Sequence, residues 1–337
     1  MINHAKSPVC NSGLNVLAVI PGVNSDSIGM VFARRQMCAI EGLGFNVHRF
    51  FFSTRTALSG IVSEFRRLKA EIRLFNPDVI YCHYGTITAF ITVCATSRPV
   101  VIAFRGSDLN PVPSVSSLRV FVGHTLSQLS ALRATRIVCV SRGLMDRLLW
   151  SKDKVTLIPT GVDTSLFKPI PISRARECLG WAGDDIVVLF NAGREPRVKR
   201  IDLAEQAIVQ ARELLPKLKL FVLDGDIDPV DVPLYHNAAD ALLVTSDFEG
   251  SPTIVQEAIA CGLPVVSVDV GDVTERLREV APSRIVPRDS AAIASALVQI
   301  LTLRQRSNGP EVAGRELAYS VLLPQVVKVL CNAANQS

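Results

Sequence analysis

The chain alternates short apolar runs rich in Val and Ile with amphipathic segments of helix length. The first apolar run, Asn15–Ile20, predicts a buried strand, and a Pro/Gly turn and a helix from about Met30 to Leu43 follow it. Unbroken apolar strands that alternate with helices are typical of a parallel sheet covered on both faces. The same pattern predicts further strands at Asn46–Phe51, Val79–Cys82, Val100–Phe104, Ile137–Val140 and Val155–Ile158.

The pattern stops at Pro159–Pro171, a stretch with three prolines and one glycine that predicts a linker. It then restarts, which predicts a second doubly wound unit. We therefore expect domains at 1–165 and 166–315, and a helical tail at 316–337 that packs back on the first domain. The strands of the second unit are predicted at Ile186–Phe190, Leu218–Leu223, Ala241–Val244 and Pro264–Val268, and the helices near Asp202–Leu215, Thr253–Ala260, Ser290–Leu303 and Val312–Ala334.

Length and charge agree with two globular domains and give no sign of a nucleic-acid partner. A chain of 337 residues has room for two domains, and a net charge of +5 is mild for that length. No CxxC pair or cluster of Cys and His predicts a metal site. The start lacks the apolar core of a leader peptide, and no run of about 18 apolar residues occurs. We expect a cytoplasmic protein, and a peripheral position at the inner face of the cell membrane is compatible with its weak basicity.

Three common enzyme signatures are missing from the sequence. There is no GxxxxGK[ST], no GxGxxG after the first strand and no GxSxG. Their absence argues against P-loop NTPases, dinucleotide-dependent dehydrogenases and hydrolases with a nucleophile elbow.

The segment 247–258 has the strongest chemical pattern in the chain. Glu249 follows a predicted strand, Ser251 is expected to cap the next helix with Pro252 at its first position, and Glu257 comes one to two turns later. The free N–H groups of a helix start suit a phosphate, and the two carboxylates could bind hydroxyls of a ribose and a sugar. The alternative is that Glu257 faces solvent and Glu249 is an ordinary loop acid.

A second polar segment, 191–200, follows the strand at Ile186–Phe190. Gly193 permits close approach of the backbone, and Arg194 and Lys199 could converge on a diphosphate. The alternative is a basic surface loop.

Loops of the first half could line the opposite side of an interdomain cleft. The loop Gly22–Gly29 follows the first strand, and His83, Arg105 and Asp108 come at the ends of two others. Since ligands of such sheets bind beyond the carboxyl ends of the strands, we expect these residues in the cleft. A plain turn and a structural histidine are the alternatives.

Taken in order, these pieces resemble the retaining glycosyltransferases of family 4, which have the GT-B fold of two Rossmann-like domains facing a cleft. Glu249 and Glu257 match the E-x7-E motif of that family, in the setting EGSPxxxxEAxAxGxPVV. Arg194 and Lys199 match its GRxxxxK segment. Ser141–Leu144 is similar to its S-x-x-L, and Ile158–Pro169 to its IPxGVDxxxFxP linker.

The resemblance implies a metal-independent hexosyltransferase that uses a nucleoside diphosphate sugar, without a cofactor, in assembly of a surface polysaccharide or glycolipid. Arg194 and Lys199 would bind the diphosphate, Glu249 would lie against the donor sugar, and Glu257 would hold the ribose. The donor is also expected to contact the backbone at 250–253 and 193, while the acceptor would lie on the other domain. The other residues expected to bind the donor are Gly193, Gly250, Ser251, Pro252 and Thr253. The residues expected to line the cleft or bind the acceptor are Gly22, His83, Arg105 and Asp108.

The sequence departs from the family pattern in three places. Arg105-Gly106 stands where many members have His-Gly, so Arg105 could serve an anionic group of donor or acceptor. Gly271-Asp272 replaces a usual Gly-Gly, and the stretch from Val222 to Val232 is shorter than usual. Two alternatives share the architecture, a nucleotide-sugar 2-epimerase and a non-catalytic subunit that binds a nucleotide.

Overall fold

The computed structural model describes residues 13–26, 29–53, 57–111, 115–193 and 195–336. Within them the first half folds around a parallel sheet of six strands in the order β2-β1-β3-β4-β5-β6. The strands are Asn15–Pro21 (β1), Asn46–Phe52 (β2), Val79–His83 (β3), Val100–Phe104 (β4), Arg136–Cys139 (β5) and Val155–Leu157 (β6). The helices are Val31–Gly42 (α1), Leu58–Phe75 (α2), Thr86–Ala95 (α3), Ser117–Arg133 (α4) and Arg142–Asp146 (α5).

The second half has its own parallel sheet of five strands in these described ranges, in the order β11-β10-β9-β7-β8. The strands are Ile186–Asn191 (β7), Leu218–Leu223 (β8), Ala241–Val244 (β9), Val265–Val268 (β10) and Arg284–Val286 (β11). The helices are Ile172–Leu179 (α6), Pro196–Lys199 (α7), Ile201–Ala211 (α8), Val232–Ala238 (α9), Thr253–Ala260 (α10), Val273–Leu277 (α11), Ser290–Leu303 (α12), Gly309–Glu316 (α13) and Tyr319–Ala334 (α14).

Strand β1 shows why the strands are continuous apolar runs. Val16, Ala18 and Ile20 point into the core beneath α1 and α14, whereas Leu17 and Val19 point into the core beneath α2 and α3. Because successive side chains of a strand alternate between faces, a sheet with helices on both faces needs apolar residues at every position. The expectation of a parallel sheet covered on both faces is confirmed.

The last helix returns from the second half of the chain to the first sheet. Leu322, Val326 and Leu330 of α14 are buried in the same core as β1, β3 and β4. A backbone bridge between Val162 of the linker and Ala318 fixes the point of return. The C-terminal helix is therefore part of the first domain's core.

The structure differs from the sequence expectations at several element ends. Helix α8 ends at Ala211 instead of Leu215, and the tail is two helices that break between Glu316 and Tyr319. Strand β11 was not expected, because its three residues begin with an exposed Arg284 and form no apolar run. In the described part of the chain, no helix has both the length and the apolar character that a bilayer crossing requires.

Candidate active site

The two domains meet where the loops after β4 and β9 touch. A Cβ atom at Gly250 would lie 2.0 Å from the carbonyl oxygen of Arg105, and one at Gly106 would lie 3.4 Å from the nitrogen of Gly250. The Asn110 side chain also donates to the carbonyl of Glu249 at 2.8 Å. Only glycine at position 250 allows this backbone contact, which brings the carboxyl ends of both sheets together.

A cavity of about 170 Å³ lies beside this contact. Thr253 and Ile254 of the first turn of α10 line it, and the start of an α-helix leaves backbone N–H groups without a partner in the helix. The lining joins residues from both domains and from the linker. They are Phe32, Arg105, Thr160, Asn191, Lys199, Glu249, Gly250, Ser251, Pro252, Thr253 and Ile254.

Lys199 and Glu249 form an ion pair in the cavity wall. Lys199 Nζ donates to Glu249 Oε1 at 2.5 Å, and Ser246 Oγ donates to the same oxygen at 2.8 Å. Both charged side chains are mostly buried, at 21% and 13% exposed. The structure thus brings these two predicted residues together with the helix start, while Arg194 lies outside the described residues.

Glu257 makes contacts across the domain boundary. Its carboxylate lies 3.3 Å from Arg35 Nη1 of α1 and 3.6 Å from Nε2 of the buried His236. The Arg35 guanidinium also donates to the carbonyl of Pro229 at 2.7 Å and lies 5.1 Å from the centre of the Phe167 ring. Glu257, 12% exposed, therefore does not face solvent, and it sits one helical turn behind the cavity lining.

Arg105 lines the cavity from the first domain, and its guanidinium contacts neutral side chains of that domain. Its Nη2 donates to Gln36 Oε1 at 2.9 Å and lies 3.4 Å from the Tyr81 hydroxyl and 3.2 Å from His83 Nδ1. The guanidinium lies 5.2 Å from the centre of the Phe32 ring. Among the residues that the structure describes, no carboxylate lies within ion-pair distance of it.

His83 and Asp108 do not face the cleft, contrary to the expectation from their strand-end positions. Both side chains are fully buried. Burial and the positive charge of Arg105 hold the pKa of His83 well below its usual value, so the ring is neutral. Asp108 accepts from the backbone N–H groups of Gly85, Arg105 and Gly106 at 2.8–3.2 Å, which shapes the loop that carries Arg105.

Ser251 was expected to cap α10, and this was wrong. The helix begins at Thr253, one residue later than expected, with Pro252 at the cap position and no capping side chain. The Ser251 hydroxyl instead donates to Asp272 Oδ2 at 2.8 Å and accepts from Gln256 Nε2 at 2.7 Å. Asp272, at the position where glycine was the expected residue, thus fixes the loop that precedes α10 by accepting this hydrogen bond from Ser251.

The two loop glycines singled out in the sequence adopt left-handed backbone conformations. Gly193 has a φ of 50° and its N–H donates to the Leu223 carbonyl at 3.1 Å, at the carboxyl end of β7. Gly22 has a φ of 122° and donates to the Phe52 carbonyl at 3.0 Å. Gly22 is not in the lining of the 170 Å³ cavity, and residues 27–28 of its loop lie outside the described ranges.

Several residues at the site carried no sequence signal that we could use. Phe32 and Arg35 lie on a helix that looks like any amphipathic helix, and Thr160 lies in a linker. Asn191 and Asn110 sit inside or near polar loops, where a single Asn is usually a turn residue.

Solved structures share this two-domain architecture. Sucrose-phosphate synthase from Thermosynechococcus elongatus superposes with a TM-score of 0.78 at 17% identity, covering 96% of this chain and all of that one. The Anabaena protein HepE, in complex with UDP-glucose, gives 0.70 at 17% identity over 95% and 100% of the two chains. The fold defined by the two facing parallel-sheet domains is GT-B, as expected from the sequence.

Family models match both halves of the chain. Glycosyltransferase Family 4 matches residues 27–166, and Glycosyl transferases group 1 matches residues 186–303. The first half of the chain thus belongs with Glycosyltransferase Family 4, and the second half with the group 1 glycosyl transferases.

Curated relatives that match include several glycosyltransferases. D-inositol 3-phosphate glycosyltransferase of Acidothermus cellulolyticus is 27% identical over 48% of this chain and 43% of its own. The GDP-mannose-dependent alpha-(1-6)-phosphatidylinositol monomannoside mannosyltransferase of Mycolicibacterium smegmatis is 29% identical over 48% and 50%. The chain thus spans about half the length of these curated relatives.

The buried Asp272 predicts a pH-dependent stability difference. Burial raises the pKa of its carboxyl to about 6, against roughly 3.9 in an unfolded chain. The folded protein is therefore most stable below about pH 4, where Asp272 is protonated in both the folded and the unfolded state. The free energy of unfolding then falls as the pH rises through about 6 and Asp272 ionises. Relative to the wild type, Asp272→Asn should become more stable between pH 4 and 7, by up to about 3 kcal/mol. Denaturant unfolding of both proteins across this range checks the slope, and parallel stability curves would contradict it.

Proposed function

We propose that the chain is a retaining, metal-independent glycosyltransferase that moves a hexose from a nucleoside diphosphate sugar to an acceptor hydroxyl. The observation that carries the proposal is the cavity in which Lys199, Glu249 and the start of α10 converge beside a second cation, Arg105. The match of the first half to Glycosyltransferase Family 4 and the UDP-glucose complex of HepE, a protein of the same fold, support a donor of this class.

The main requirement of this reaction is stabilisation of the negative charge on the leaving diphosphate. The bond between sugar C1 and the diphosphate oxygen breaks, and its electron pair stays on the phosphate. The acceptor oxygen bonds to C1 on the same face through an oxocarbenium-like state, and its proton passes to the leaving phosphate. Lys199 and the first N–H groups of α10 would meet the charge that develops on the diphosphate.

The remaining predicted residues have supporting roles in this proposal. Arg194 would be a second cation on the diphosphate, Glu249 would orient Lys199 and contact the sugar, and Glu257 would accept hydrogen bonds from the ribose. Glu257 is paired with Arg35, so nucleotide binding would replace or share that contact. The acceptor is a sugar, glycolipid or polysaccharide end, in the assembly of surface glycans.

Replacing Lys199 tests the diphosphate role. Lys199→Ala should lower the turnover number for sugar transfer about 100-fold or more, the scale of losing one oxyanion donor. The measurement is transfer of labelled sugar to acceptor, which also separates a transferase from an epimerase. Lys217→Ala, which removes an exposed lysine paired with Asp184 in the same domain, is the control. Near-normal transfer by Lys199→Ala would refute the role.

Replacing Glu257 tests the ribose contact. Glu257→Gln keeps the shape but loses the charged acceptor, so the affinity for nucleoside diphosphate should fall by about tenfold or more, in line with the 1.5–3 kcal/mol of a charged hydrogen bond. Isothermal titration calorimetry with the nucleoside diphosphate measures this affinity in the wild type and the variant. Glu205→Gln, on the exposed side of α8, is the matched control. An unchanged affinity would remove Glu257 from the nucleotide site.

The environment of Arg105 indicates that the donor sugar carries a negative charge. A half-buried guanidinium that lacks a carboxylate partner in the described structure is stabilised when a ligand supplies one. The expected donor is a uronic acid, whose carboxylate would accept hydrogen bonds from the N–H groups of the guanidinium that Gln36 does not take. The ratio of kcat/KM for a uronic acid donor to that for the neutral hexose donor of the same nucleotide should fall about tenfold or more in Arg105→His. Arg278→His, 78% exposed, should leave the ratio unchanged. Equal ratios in wild type and Arg105→His would count against this assignment.

A further inference from the structure

Helix α4 presents an apolar stripe to solvent. Its exposed apolar residues follow one another at intervals of three, one, seven and three positions, which puts them on one face of the helix. The opposite, buried side consists of Ser127, Ser130 and Ala131. A helix of a globular domain normally has the reverse orientation, with its large apolar side chains in the core. The exposed fractions are 73% for Leu118, 68% for Phe121, 46% for Val122, 41% for Leu129 and 47% for Leu132.

The loop after α5 extends this stripe. Leu149 and Trp150 are 71% and 41% exposed. The Leu149 N–H donates to the side chain of Gln128 at 3.1 Å, and Trp150 Nε1 donates to the Gln128 carbonyl at 2.9 Å. The loop therefore lies against the middle of α4. We call these seven side chains, on α4 and at 149–150, the α4 surface.

The charge around the α4 surface is positive. No Asp or Glu occurs in the sequence between Asp108 and Asp146, a stretch that includes all of α4. Arg119 and Arg133 on the helix are exposed. Arg147 and Lys152 beside the loop are exposed too, against two exposed acids, Asp146 and Asp153. Basic residues near anionic lipid are each worth about 1 kcal/mol of attraction.

Two cavities lie between the α4 surface and the donor site. One, of about 980 Å³, is lined by Val120 and His124 of α4 and by Tyr84 and Ser107. The other, of about 340 Å³, is also lined by Tyr84 and Ser107, together with Arg105, Lys199 and Glu249. The two cavities, which we call the groove, therefore adjoin each other at Tyr84 and Ser107.

We propose that the α4 surface docks on an anionic lipid bilayer, and that the groove takes the headgroup of a lipid-anchored acceptor. Apolar side chains flanked by arginines match the boundary between acyl chains and negatively charged headgroups. A second copy of the chain fits less well, since a symmetric contact would bring the basic residues of two α4 helices together. The acceptor half of the proposal rests on the proposed function, and the docking half does not.

Vesicle binding tests the docking. The protein should co-sediment with vesicles of equal parts phosphatidylglycerol and phosphatidylcholine, and far less with phosphatidylcholine alone. The double variant Leu118→Glu/Phe121→Glu should bind the anionic vesicles at least about tenfold more weakly, because it puts two carboxylates where lipid would be. The matched control is Val209→Glu/Leu214→Glu in the other domain, whose side chains are 61% and 72% exposed, and it should bind as the wild type does.

Further readouts separate the outcomes. Thermal unfolding and circular dichroism verify that both double variants fold, and sedimentation velocity detects self-association. Transfer of the sugar from the donor to water, which releases nucleoside diphosphate, should in the absence of vesicles be equally fast in wild type and Leu118→Glu/Phe121→Glu. Failure of that release in every protein would count against the proposed function and leave the vesicle result to stand. Absence of wild-type binding to anionic vesicles, equal loss in both double variants, or a wild-type dimer that Leu118→Glu/Phe121→Glu dissociates would overturn the docking.

Discussion

The site depends on one close contact, the approach of the Gly250 backbone to the Arg105–Gly106 backbone. A side chain at position 250 would collide with the carbonyl of Arg105, so the two domains can meet here only through glycine. That contact brings the carboxyl ends of two separate parallel sheets to the same cavity. The start of α10 from one domain and the guanidinium from the other then face the same small volume.

The electrostatics of the cavity follow from this arrangement. The positive charge of Lys199 is matched by Glu249 within its own domain, whereas Arg105 is anchored by uncharged partners, including the neutral His83. The cavity therefore has an excess of positive charge, to which the α10 helix start adds. This excess suits an anionic donor, and the groove toward α4 is where we propose that the acceptor enters.

Local patterns in the sequence predicted much of the fold but less of the site. Helix α10 was predicted near its observed bounds, but its start was placed one residue early because Ser251 was taken as the cap. Strand ends predict which edge of a sheet a residue occupies, but they do not predict whether its side chain points outward, and so Asp108 was misplaced. The pair of Arg35 and Glu257, separated by 222 positions, depends on how the domains pack, and no local pattern reports that.

We propose that the diphosphate of an activated sugar binds between Lys199 and the first turn of α10, with the domains in contact at Gly250. A crystal structure of the protein with a nucleoside diphosphate would show where the nucleotide binds. Phosphate oxygens are expected within hydrogen-bond distance of Lys199 Nζ and of the N–H groups at the start of α10. A nucleotide bound elsewhere, with Lys199 still paired only to Glu249, would contradict it.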